Sequence, residues 1–178
     1  MRWLVVLLLI GCESVAPSRP DGGESFIALG RDFEGFQSWT RYEIDPLAVP
    51  IGHPEGPSFV YVNRAPTSGL TRFPVGTILI KSTEVGPYED WILHAMVKRG
   101  GTFNLGGGSV GWEFLELRLT SAGEPVILWR GEGPPSGLGY AAIGVDAGPD
   151  GVQLVCNDCH AAAWQNDSVL NPLVRLAP

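Results

Sequence analysis

The sequence predicts a mainly β (α+β) fold: an antiparallel sheet with a few short packing helices, and a short helix near the C-terminus. Three observations lead there. Five runs of β-branched, aromatic or alternating residues lie between residues 58 and 130, separated by turn-forming residues. No helical stretch of a dozen residues lies between these runs, and a parallel crossover needs one. The chain of 178 residues is long enough for one core and too short for two typical domains.

The elements follow in order. Residues 31–40 carry Phe33, Phe36 and Trp39 at helical spacing and read as an amphipathic helix packed on the sheet. Residues 58–63 (S-F-V-Y-V-N) are a first strand, and residues 76–83 a second, entered through a turn at 73–76. Residues 91–98 make a third. Residues 110–119 make a fourth, with Leu115, Leu117 and Leu119 on one face and Glu116 and Arg118 on the other. A hairpin at 121–124 leads to a fifth at 125–130. Residues 131–151 are rich in Gly and Pro, with little periodicity, and read as a long surface excursion. A short helix is expected to start near Val152, to carry residues 156–160 and to continue through 161–164.

The first residues predict export. Met1-Arg2-Trp3 is a short basic start, residues 4–10 are an unbroken apolar run, and Gly11-Cys12 follows. The run is too short for a spanning helix, which needs roughly 20 residues. Leu9-Ile10-Gly11-Cys12 resembles a bacterial lipobox, in which the Cys is lipidated and becomes the first mature residue. The expected organisation is a signal peptide at 1–11, a flexible tether at 12–24 from lipidated Cys12, and one domain at 25–178 on the periplasmic side of a bacterial cell envelope. The plainer alternative is an ordinary cleaved leader with an incidental Cys. The formal net charge is −7 and no Lys/Arg cluster occurs, which argues against nucleic acid and against a polybasic membrane patch. Membrane contact is therefore expected through the lipid anchor alone.

Cys156-Asn157-Asp158-Cys159-His160 carries the chemistry. C-x-x-C-H is the attachment sequence for c-type haem. Residues three apart share a helix face, so two thiols can reach the two vinyl groups of one porphyrin. The next residue then presents an imidazole to the iron. Cys156 and Cys159 are the expected thioethers, His160 the proximal iron ligand, and one covalent haem c per chain the expected cofactor. Cys12, Cys156 and Cys159 are the three cysteines, so lipid and haem account for all of them. Two rival readings remain open. A C-x-x-C redox disulfide usually opens a helix after an early strand, whereas this pair is near the C-terminus. A structural zinc needs further ligands, and His53 and His94 are the histidines left beside His160.

With these residues in view, the chain resembles the cytochrome P460 and cytochrome c′-beta family, from about residue 59 to residue 178. The resemblance rests on Val60-Tyr61-Val62, on residues 73–81 (F-P-V-G-T-I-L-I-K), on residues 94–98 (H-A-M-V-K), on Trp112-Glu113-Phe114, on C-x-x-C-H, and on residues 166–170 (N-D-S-V-L). It implies a small antiparallel β haem protein, and suggests a homodimer. In P460 members the Lys at the position of Lys81 makes an extra bond to the haem macrocycle. The c′-beta members lack that bond and bind diatomic gases in an apolar pocket. Lys81 is thus a candidate cofactor-binding and catalytic residue, although a strand lysine facing solvent is common; by alternation it shares a face with Thr77 and Leu79. His94 shares a face with Ile92 and Met96. The resemblance puts a distal carboxylate at its position in hydroxylamine-oxidising members, and an imidazole can take over that proton handling. His94 can equally bind iron as a second axial ligand, or be a satisfied core histidine.

The expected function is oxidation of a small nitrogen species such as hydroxylamine or nitric oxide at the haem. The alternative is NO or CO binding, or electron transfer to a redox partner protein, without turnover. Some P460 members have an arginine just before the Val-Tyr-Val strand, where this chain has Ser58. That departure prevents the substrate from being carried over. His53 reads as a solvated loop residue, residues 105–109 as a turn with no phosphate-binding helix behind it, and Glu113 and Glu116 as sheet-surface charges.

Overall fold

A computed structural model describes residues 23–45, 56–106, 108–132, 139–141, 146–147, 153–154 and 156–176. The leader, Cys12, most of the tether and His53 lie outside the described residues. The protein is mainly β. Strands β1 (Thr40–Ile44), β2 (Ser58–Val62), β3 (Ile78–Thr83), β4 (Ile92–Lys98), β5 (Trp112–Leu119) and β6 (Pro125–Gly131) form an antiparallel meander in chain order. Strand β7 (Gly139–Ala141) joins β6 in parallel, and β8 (Asp146–Ala147) pairs with β9 (Gln153–Leu154) in a separate two-stranded sheet. Helix α1 spans Cys156–Ala161.

Both faces of the large sheet are covered, which explains why its central strands are apolar on both sides. One layer packs Phe33, Phe36, Tyr61, Ile78, Ile80, Leu93, Leu115 and Leu117. The other packs Val60, Val62, Leu79, Met96, Trp112 and Phe114 against Phe73, Val169 and Val174, with Cys156 beside them. The segment after α1 is therefore a structural layer of its own. Among the described residues no helix is long and apolar enough to cross a membrane.

Several expectations need correction. The helix at 31–40 is instead two 3₁₀ turns, Gly30–Phe33 and Phe36–Ser38. Gly35 lies between them at φ 66°, a left-handed conformation that interrupts any continuous helix. The period of three satisfies Phe33 and Phe36 equally well, since side chains three apart eclipse in a 3₁₀ turn; both are fully buried. Thr40 already belongs to β1. The expected surface excursion at 131–151 contains β7 and β8, so the sheet gains a parallel strand. Helix α1 starts at Cys156 rather than near Val152, because Gln153 and Leu154 pair as β9. Past α1 the chain turns into the 3₁₀ segment Trp164–Asn166 instead of continuing as helix. Glu113 is not a surface charge: it is fully buried between Arg99 and Arg130.

Candidate functional site

Register brings the site together. Lys81 on β3 is the direct cross-strand partner of His94 on β4, and His94 is that of Glu116 on β5. Glu116 in turn faces Trp129 on β6, and Val60 on β2 faces Lys81. Val60, Lys81, His94, Glu116 and Trp129 thus form one row across five strands, where direct neighbours have Cβ atoms about 4.5–5.5 Å apart. Val60, Trp129 and the flanking Leu79 and Met96 give this row an apolar setting. Trp129 Nε1 donates to Glu116 Oε2 at 2.6 Å, which fixes that carboxylate. Sequence reasoning put Glu116 on the correct face and misjudged what covers it: that face carries the second apolar layer, and Glu116 is half-buried.

The electrostatics follow from burial. Lys81 is pushed down from its usual 10.5 to about 8, because little water remains to solvate the ammonium. Its Nζ donates to Thr83 Oγ1 at 3.2 Å. His94 is pushed down from 6.5 to about 4, first by burial, then by the Lys81 ammonium, and last by the neighbouring His160 as both rings approach protonation in acid. The imidazole is therefore neutral at pH 7. The sign of the linked stability follows. His94 has a lower pKa folded than unfolded, so its contribution is complete above about pH 6.5 and is lost as pH falls toward 4. At about 1.4 kcal/mol per unit the loss is at most ~3 kcal/mol. In His94→Phe that part of the acid destabilisation should vanish. Urea midpoints of wild type and variant from pH 7 to 4 check this; parallel curves would refute it.

Helix α1 sits over the same face. Cys156 is half-buried against the second apolar layer, Cys159 is exposed, and the His160 ring lies 5.1 Å from the Phe114 ring. Residues 156, 159 and 160 share one face of this helix by their spacing. Asn157 points the other way, into the β4–β5 loop. Its Oδ1 accepts from Ser109 N at 2.9 Å and Asn104 Nδ2 at 2.6 Å, and its carbonyl accepts from Ser109 Oγ at 2.9 Å. The helix is thereby clamped on the side away from the thiols. Gly108 permits the close approach, since a Cβ there would collide with the Ala161 Cβ. Gly108→Ala should therefore destabilise by about 1–3 kcal/mol, as overpacking does. Thermal or urea unfolding reads this, and wild-type stability would contradict the clamp.

His160 Nδ1 is 2.9 Å from the Ser168 carbonyl oxygen. A carbonyl only accepts, so Nδ1 carries the proton. Burial lowers the His160 pKa, opposed in part by this hydrogen bond. The ring is then neutral, and Nε2 is left with a free lone pair, the state a metal ligand needs. Among the described residues, no three His, Cys, Asp or Glu side chains converge as a cage for a bare metal ion. A porphyrin supplies four nitrogens itself and asks the chain for one or two.

Two sequence candidates, Lys81 and His94, are thus brought together, with His160 close enough to His94 to depress its pKa. Cys156, Cys159 and His160 share α1, and Cys12 lies outside the described residues. The residues that sequence reasoning missed are Glu116, Asn157 and Asp167. Comparison with protein-family models, with curated proteins and with solved structures finds no match for this chain.

Proposed function

We propose that the protein is an exported, lipid-anchored cytochrome of the P460 or c′-beta kind. It carries one haem c bound through Cys156 and Cys159 and ligated by His160. The observation that carries this reading is the His160–Ser168 hydrogen bond. It leaves Nε2 unprotonated on the helix that also bears two thiols at haem-attachment spacing. The donor set fits the group: two cysteine sulfurs for thioethers and a neutral imidazole as axial ligand. When bound, a haem held by Cys156, Cys159 and His160 would supply a redox-active iron. The leader through Cys12 supports a periplasmic, membrane-tethered location.

In the enzyme reading, the substrate is a small nitrogen species such as hydroxylamine or nitric oxide. The Lys81–His94–Glu116 row then holds and moves its protons. One observation favours a second reading. His94 lies on the sheet face that α1 covers, beside Lys81, and desolvation keeps its imidazole neutral at pH 7. A neutral, half-buried imidazole that resists protonation is better suited to be a ligand than a proton acceptor. In that reading His94 would join His160 in holding the iron, and the protein would transfer electrons to a partner.

The electronic spectrum of the protein matured with haem tests both. An open site predicts spectral change on adding hydroxylamine or nitric oxide, and a band that Lys81→Ala alters if Lys81 bonds the ring. A low-spin spectrum indifferent to both ligands selects electron transfer. A spectrum without c-type bands in pyridine refutes the proposal.

A further inference from the structure

We propose that Asp167, locked by buried Lys98 and by Trp112, is a positioning residue for His160: it holds the left-handed turn that presents the Ser168 carbonyl to Nδ1. The inference rests on the reading of His160 as a haem ligand. Asp167 and Ser168 follow one another at φ 48° and 69°. Two successive left-handed residues, neither of them glycine, do not persist without support from their surroundings.

That support is concentrated on Asp167. Its carboxylate accepts from Lys98 Nζ at 2.8 Å and from Phe73 N at 2.9 Å. Its carbonyl accepts from Trp112 Nε1 at 2.6 Å. The Lys98 and Asp167 side chains are 3 % and 7 % exposed. Lys98 Nζ also donates to Val110 O at 3.0 Å and lies 4.9 Å from the centre of the Trp112 ring. Lys98 ends β4 and Trp112 begins β5, so the turn is fastened to the rigid end of the sheet. Ser168 N then donates to Ala163 O at 2.9 Å, closing the loop that starts from α1.

The consequence reaches His160 through one peptide. If the turn relaxed toward right-handed geometry, the Ser168 carbonyl would swing away and Nδ1–H would lose its acceptor. A histidine ligand that donates through its second nitrogen is a stronger electron donor to iron. The Lys98–Asp167–Trp112 group therefore tunes the axial ligand without touching it.

The test uses the haem-loaded full chain and three variants. Asp167→Asn keeps shape and tolerates left-handed backbone but removes the negative charge that faces the Lys98 ammonium. Trp112→Phe keeps the ring and removes the donor to the Asp167 carbonyl. Asn104→Ala damages the opposite clamp of α1 and serves as control. Two signals are read: exchange of the His160 Nδ1 proton by NMR in the diamagnetic low-spin ferrous protein, with carbon monoxide added only if the iron has an open position, and the midpoint potential.

The expected result is exchange faster by roughly tenfold, as loss of one hydrogen bond gives, together with a higher potential, in Asp167→Asn and Trp112→Phe but not in Asn104→Ala. If either of the first two folds with haem and leaves both signals at wild-type values, the positioning role is refuted. Equal shifts in Asn104→Ala refute it too, since general loosening would then explain them. A wild-type chain that takes up no haem overturns the underlying reading, and is told apart by its bare mass.

Discussion

Replacing both Cys156 and Cys159 by alanine, in a Lys81→Ala background, should abolish covalent haem altogether, and replacing His160 alone should not. Thioether bonds need a thiol, and the remaining cysteine, Cys12, lies at the other end of the sequence. After denaturing electrophoresis, haem-linked peroxidase staining should vanish in the combined variant. His160→Ala keeps both thiols on α1, so some covalent colour should survive. The spectrum should change, because the imidazole with its proton fixed on Nδ1 is gone. The pair of outcomes separates attachment from ligation. Staining retained in the combined variant would show that the colour comes from haem bound elsewhere.

The second large effect concerns the fold. Lys98→Ala should cost about 3–5 kcal/mol, because it strands the Asp167 carboxylate in a nearly dry site. A domain is typically stable by only about 5–15 kcal/mol, so the variant should melt far below wild type. Adding Asp167→Asn to Lys98→Met should recover part of what Lys98→Met alone loses, since the uncompensated charge is removed with its partner. Denaturant midpoints of the two single variants and the double close the cycle. Strictly additive losses would mean that the pair, 2.8 Å apart, is energetically uncoupled.

How much of this was legible in the sequence depended on range. Strands β2 to β6 were readable within a residue or two, because β-branched and aromatic runs between turn residues report local structure. Strand β1, T-R-Y-E-I, escaped notice: three of its five residues are polar, and it lies at the sheet edge with side chains half or fully exposed. Its alternation of Tyr42 and Ile44 was the available signal. The period of three at 33–39 fitted a helix and a pair of 3₁₀ turns alike, and Gly35 was the residue that told them apart. β7 hid within a Gly/Pro-rich stretch whose composition says loop.

The site divided in the same way. C-x-x-C-H is a pattern of spacing alone, so its residues were readable without the fold, and α1 places all three on one short helix. That Lys81 faces His94 is a matter of strand register, which no single run encodes. Glu113 read as a surface charge because carboxylates usually are. Its burial depends on Arg99 and on Arg130, 17 residues away in sequence. Asp167 depended on Lys98 across 69 residues.

The most direct measurement is the intact mass of the mature protein, produced with haem-maturation machinery and held under denaturing conditions. The account predicts a mass above that of the lipid-modified polypeptide by one iron protoporphyrin, with the added mass mapping to the peptide that spans Cys156 to His160. A mass equal to the bare or merely lipidated chain would contradict it.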